Sequence, residues 1–269
     1  MRIDYRNAPI QADPSGYFYG PVAQGLALSA PLTLVNEACW NSLTDAGSMS
    51  DPEIRGTISD MWGIKDAEQW RSTLGDLADC DFGDWIADHA TVVRTRTKAR
   101  LDIPVLDDAA WSQALVEEVQ RVGADPDYLA ALHDRIPKIR FAEASLRTAR
   151  LLGADEEVQA LRGYDLVRAG NIARWGVRLG YGETHVVRTV ALASRDNVVD
   201  VYSSWRDYGL GLTAARIVNF PDTFGRNLVD AIDMLRPLLD SVKSPWNNLP
   251  FPTERVLDEP EPAAENAPA

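Results

Sequence analysis

The sequence predicts an all-α protein, a single multi-helix bundle-like domain, on three observations. Apolar residues recur at helical spacing along most of the 269 residues. Capping residues and prolines stand where those runs begin, and glycines where they end. Strand-like alternation is nearly missing: its one instance, Thr95-Arg96-Thr97-Lys98, is polar throughout.

Residues 1–19 read as an irregular segment, broken at Pro9, Pro14 and Gly16 and pinned to the body by Tyr17, Phe18 and Tyr19. Pro21 opens an apolar run through Val22, Leu26, Leu28, Leu32, Leu34 and Trp40, which Pro31 kinks or divides into two short helices. Asp51 as N-cap and Pro52 start a helix carrying Ile54, Ile58, Met61 and Trp62, and Gly63 ends it. Asp66 caps the next, with Gln69 completing a capping box and Trp70, Leu74 and Leu77 as its stripe. Asp107 or Asp108 starts a helix faced by Trp111, Leu115, Val119 and Val122. A longer one covers 127–152, bent or broken at Pro137.

The C-terminal half predicts helices at about 156–179, 183–200, 203–219 and 222–242, the third and fourth separated by Pro221 and Asp222. After Ser244, prolines forbid a helix, while Trp246 and Phe251 dock on the body. Residues 20–253 thus form the helical domain, with room for two lobes, 20–101 and 108–243. Residues 254–269, made of Pro, Ala, Glu and Asn, read as a disordered acidic tail.

Forty acidic against 27 basic residues give a net charge of −13. That charge disfavours nucleic acid and anionic membranes, and suits solubility or a basic protein partner. With no signal peptide and no long apolar span, the expected location is the cytoplasm, away from any membrane. Cys39 and Cys80 read as small buried hydrophobes, Cys39 within a helical run. His89, His133 and His185 lack the spacing of a helical metal site and read as surface or helix-end histidines. Neither a metal nor a cofactor is implied. Gly176, Gly180 and Gly182 do not fit a dinucleotide loop, and helix termination and close packing explain them. The basic run Arg94, Arg96, Lys98 and Arg100 is an anion patch if extended. If helical, the more favoured conformation, its members split between faces and pair with acids. Trp62, Trp70, Trp85, Trp111, Trp175 and Trp205 fall at core positions.

The densest information lies between Arg162 and Trp205. Asp165, Arg168 and Asn171 are three apart on one helical face, and Arg174 and Trp175 continue it. With Tyr164, Ser204 and Trp205 these residues form either a buried polar network that fixes helix register or the lining of a pocket. The network is the more ordinary outcome. No residue stands out as catalytic.

The runs Tyr164-Asp165-Leu166-Val167-Arg168, Asn171-Ile172-Ala173-Arg174, Gly180-Tyr181 and Tyr202-Ser203-Ser204-Trp205, with Met61-Trp62-Gly63-Ile64 upstream, resemble the bacterial domain-of-unknown-function family 1266. The resemblance spans roughly residues 55–220. Tyr164 replaces the family's usual tryptophan, and Ala215-Arg216 before Phe220 only partly matches its closing glycine-arginine pair. A helical bacterial domain is implied, with no catalytic residues to carry over. Two functions are expected from the sequence. The first is a non-catalytic protein-interaction module: an adaptor, a chaperone, or an immunity-type inhibitor of a basic partner. The second is an enzyme or small-ligand binder with a pocket around Asp165 and Arg168.

Overall fold

The computed structural model describes residues 8–220 and 224–256. In chain order the helices are α1 Gly20–Leu28, α2 Ala30–Val35, α3 Asp51–Trp62, α4 Ala67–Ala78, α5 Trp85–Leu101 and α6 Asp108–Val122. They continue as α7 Pro126–Thr148, α8 Gly163–Arg178, α9 Thr184–Asp196, α10 Trp205–Asn219, α11 Phe224–Asp240 and α12 Pro245–Asn248. The architecture is all-α, and among the described residues the only β-type pairing is an isolated bridge between Gln11 and Cys39.

Most boundaries follow local chemistry. Asp66, Asp84, Asp107, Asp125 and Ser204 accept hydrogen bonds from the first-turn amides of α4, α5, α6, α7 and α10. Gly63 and Gly123 close α3 and α6 at φ 68° and 69°, where a side chain would be strained. The α3 cap is Ser50, not Asp51: Glu53 receives hydrogen bonds from the Ser50 amide and hydroxyl. Pro31 does divide α1 from α2, at Ser29, whereas Pro137 lies inside a continuous α7.

α8 is the axis of the fold. α1, α2, α3, α4, α9 and α10 all pack on it, and it is buried around nearly its whole circumference. Two apolar clusters fill the interior. One joins α5, α6, α7, α10 and parts of α1 and α11; the other joins α1, α3 and α4 to α8 and α9. Neither cluster is confined to one side of residues 102–108, so 20–101 has no core of its own.

Tertiary context overrides the sequence in several places. The helix expected from about 156 begins at Gly163. Residues 152–162 run irregularly because buried side chains take their backbone groups. Glu143 accepts the Val158 amide, Arg94 and Thr95 donate to the carbonyls of Val158 and Gln159, and Asp88 accepts the amides of Leu161 and Arg162. Cys39 lies outside any helix, and both cysteines are half-buried. Burial, with the carboxylate of Asp45 nearby, pushes the Cys39 thiol up to about 11.

At the N-terminal segment Tyr19 is 83% exposed and pins nothing. Phe18 does dock, meeting the Trp40 ring edge-on, and the segment is also held by the Gln11–Cys39 bridge and by paired hydrogen bonds between Asp13 and Asn41. Trp85 is 48% exposed, stacked on Tyr128 rather than buried. The basic run is helical, and Arg94, Lys98 and Arg100 do pair with acids, namely Glu143, Glu157 and Glu117. Trp246 stacks on Trp205 with 5.9 Å between ring centroids, and Phe251 meets the same ring edge-on. Residues 254–256 are held to α9: the Glu254 carbonyl accepts from Arg195, and Asp196 accepts the Val256 amide. The rest of the expected tail, and the Pro221-Asp222 break, lie outside the described residues. No described helix is long and apolar enough to cross a membrane.

Candidate functional site

One face of α8 carries Tyr164, Arg168, Asn171 and Trp175 at i, i+4, i+7 and i+11. That face does not close against a neighbour. It opens on a cavity of about 310 Å³, bounded by α2, α3, α10 and α11, a size within the range of small-ligand sites. Leu32 and Asn36 come from α2 and its C-cap, Thr57, Met61 and Trp62 from α3, Leu212 and Arg216 from α10, Met234 and Leu235 from α11. Most of the wall is apolar. The lining contains two arginines, Arg168 and Arg216, and among the described residues no Asp, Glu, His, Lys, Ser or Cys.

Arg168 is held in an aromatic frame. Its guanidinium lies 3.9 Å from the Tyr164 ring centroid, 5.1 Å from that of Trp62 and 5.2 Å from that of Phe82. Its Nε donates to the Tyr164 carbonyl at 2.9 Å, and Nη2 donates to Asp165. Asp165 is 2% exposed and faces away from the cavity, where it also accepts the Gly83 amide at 2.9 Å. Burial raises its carboxyl above the ordinary carboxylate range, against the pull of Arg168. Asn171 accepts a hydrogen bond from Asn36 at 2.8 Å, joining α8 to the end of α2 along the cavity wall.

The structure therefore divides the seven candidate residues. Tyr164, Arg168 and Asn171 line the cavity, and Asp165 backs it as the counter-ion of Arg168. Arg174 lies elsewhere, 1% exposed, donating to the carbonyls of Trp40 and Ser42 and so fixing the loop after α2. Burial lowers its pKa to about 10, opposed by Asp45. Ser204 caps α10, and Trp205 is a core residue whose Nε1 donates to the Leu249 carbonyl. Sequence reasoning overlooked Arg216, Asn36, Thr57 and Met234 as lining. For Arg216 a signal existed: Leu212, Arg216 and Phe220 recur every fourth residue and so share one face of α10. The other three come from separate helices that only the fold brings together.

A second charged cluster, built on the expected pairing of Arg94 and Lys98 with acids, is structural. Arg94 and Glu143, both 0% exposed, bond at 2.6 Å, and Glu157, Arg140 and Lys98 extend the network. Arg94 and Arg140 both lie against the Trp111 ring. His89 bonds Tyr128 and Glu118, while His133 contacts the Ser112 carbonyl and His185 contacts Glu183. No group of three His, Cys, Asp or Glu side chains among the described residues is placed to hold a metal ion.

A family model described as "Protein of unknown function (DUF1266)" matches residues 57–251. The chain belongs to the DUF1266 family. The matched span includes every cavity-lining residue except Pro31, Leu32 and Asn36, so the site is built mainly from the DUF1266 region. No curated protein and no solved structure matches the chain.

Proposed function

We propose that this DUF1266 protein binds a small, largely apolar molecule in the cavity along α8, without transforming it. The supporting observation is the cavity itself: about 310 Å³, apolar for most of its wall, with Asn36, Asn171 and Arg168 converging on it. Binding suits the lining better than catalysis does. General acid–base and nucleophilic chemistry draw mainly on His, Asp, Glu, Lys, Cys and Ser, and the described lining offers none of them.

Titration with the uncharged fluorophore phenylnaphthylamine tests this. One saturable site is expected, lost when Met234→Trp fills the cavity. Absence of saturable binding, or binding indifferent to that substitution in a protein that still melts cooperatively, overturns the proposal.

The alternative is a non-catalytic interaction module for a basic protein partner, supported by the net charge of −13. A stoichiometric partner recovered from native cells in low salt and lost in high salt is its expected signature.

A further inference from the structure

In a chain with 40 acidic and 27 basic residues, a surface cavity would ordinarily carry carboxylates. The described lining of this one carries two arginines and no carboxylate. The two arginines differ. Arg168 is neutralised from behind by Asp165 and covered by aromatic rings. Arg216, in the last turn of α10, is half-buried and has no hydrogen-bond or ion-pair partner among the described residues. A guanidinium presents five N–H donors and retains its charge at any ordinary pH. The C-terminal end of a helix favours a cation whatever it binds, so that position alone argues for nothing. The cavity adds the argument. Beside Leu212 and Met234 a positive charge that no described residue shares faces a space of low polarity, where an anion would be held more strongly than in water.

We infer that the cavity takes an amphipathic organic anion: an aromatic or short aliphatic body with one acid group, carboxylate or sulfonate. The acid group pairs with Arg216, and the body lies along Trp62, Leu212, Met234 and Leu235. This inference rests on the cavity being a ligand site, as proposed above.

The test uses the full chain and two fluorophores that share a ring skeleton, anilinonaphthalene sulfonate and uncharged phenylnaphthylamine. The expected result is a tighter sulfonate complex that weakens with added salt. Arg216→Gln should weaken the sulfonate about tenfold or more and leave the neutral probe unchanged, since one charge-assisted hydrogen bond is removed. Arg216→Lys, which keeps the charge, should retain most of the sulfonate affinity and guards against a folding defect in the glutamine variant. If both probes bind and their ratio is unaltered in Arg216→Gln, the anion inference is overturned while the cavity stands. If neither probe saturates, the ligand-site proposal itself has failed.

Discussion

The indole of Trp70 occupies the place a side chain would take at Gly176: a Cβ built there would stand 2.1 Å from the ring. Trp70 is fully buried and its Nε1 donates to the Ile172 carbonyl at 2.9 Å, so the ring cannot retreat. This contact seats α4 on α8. Gly176→Ala should therefore destabilise the protein by about 2–3 kcal/mol through overpacking, although alanine is the better helix former. Urea unfolding measures it; a neutral or stabilising result would mean that α4 and α8 can separate freely.

Glu143 closes the buried network around Arg94. Glu143→Ala leaves a guanidinium with 0% exposure whose nearest remaining carboxylate is Glu157 at 3.6 Å, and also releases the Val158 amide. The expected loss is about 3–5 kcal/mol. Replacing both partners with apolar residues, Arg94→Met with Glu143→Leu, should recover much of it. Chemical denaturation of the two variants checks both expectations, and equal losses in the single and double variants would show that packing rather than charge governs the site.

Asp165→Asn removes the counter-ion of Arg168 while keeping its shape. The wild-type carboxyl titrates above its ordinary value because it is buried. Its contribution to stability is thus fully present below the ordinary value and is lost as pH rises through the raised folded one. Asparagine, which cannot ionise, should flatten that slope. The freed charge of Arg168 should also strengthen binding of anilinonaphthalene sulfonate several-fold. Thermal melts across pH 3–7, which reaches from about one unit below an ordinary aspartate to about three above it, and probe titration read the two effects separately.

Glu118 provides a contrast at the surface. Its hydrogen bonds to Arg121 hold its carboxyl down to about 2 from 4.5 against the opposing effect of burial, with a smaller contribution from His89. The sign is the reverse of that at Asp165: the stabilisation is present above 4.5 and lost as pH falls through about 2. The melting-temperature difference between wild type and Glu118→Gln should close over that interval. A difference that persists to the acid end would assign the effect to packing.

Local sequence patterns specified the helical class, the cap at Asp66, a cap at Asp107 or Asp108, the stops at Gly63 and Gly123, and the docking of Trp246 and Phe251. These depend on residues within a turn of one another or on bulky apolar side chains that must be buried somewhere, and both leave a local pattern. The sequence also singled out the α8 stripe, because polar residues at helical spacing in an apolar helix are conspicuous in one dimension. Only the tertiary structure decided what the stripe does. It turned Tyr164, Arg168 and Asn171 into a cavity wall, placed Asp165 behind it, and sent Arg174, Ser204 and Trp205 to unrelated tasks. A cavity is the space left between helices distant in the chain. Asn36, Thr57, Arg216 and Met234 share no spacing rule that would announce their meeting, and the 152–162 segment is irregular because its amides and carbonyls find partners on α5 and α7 that no local pattern reveals.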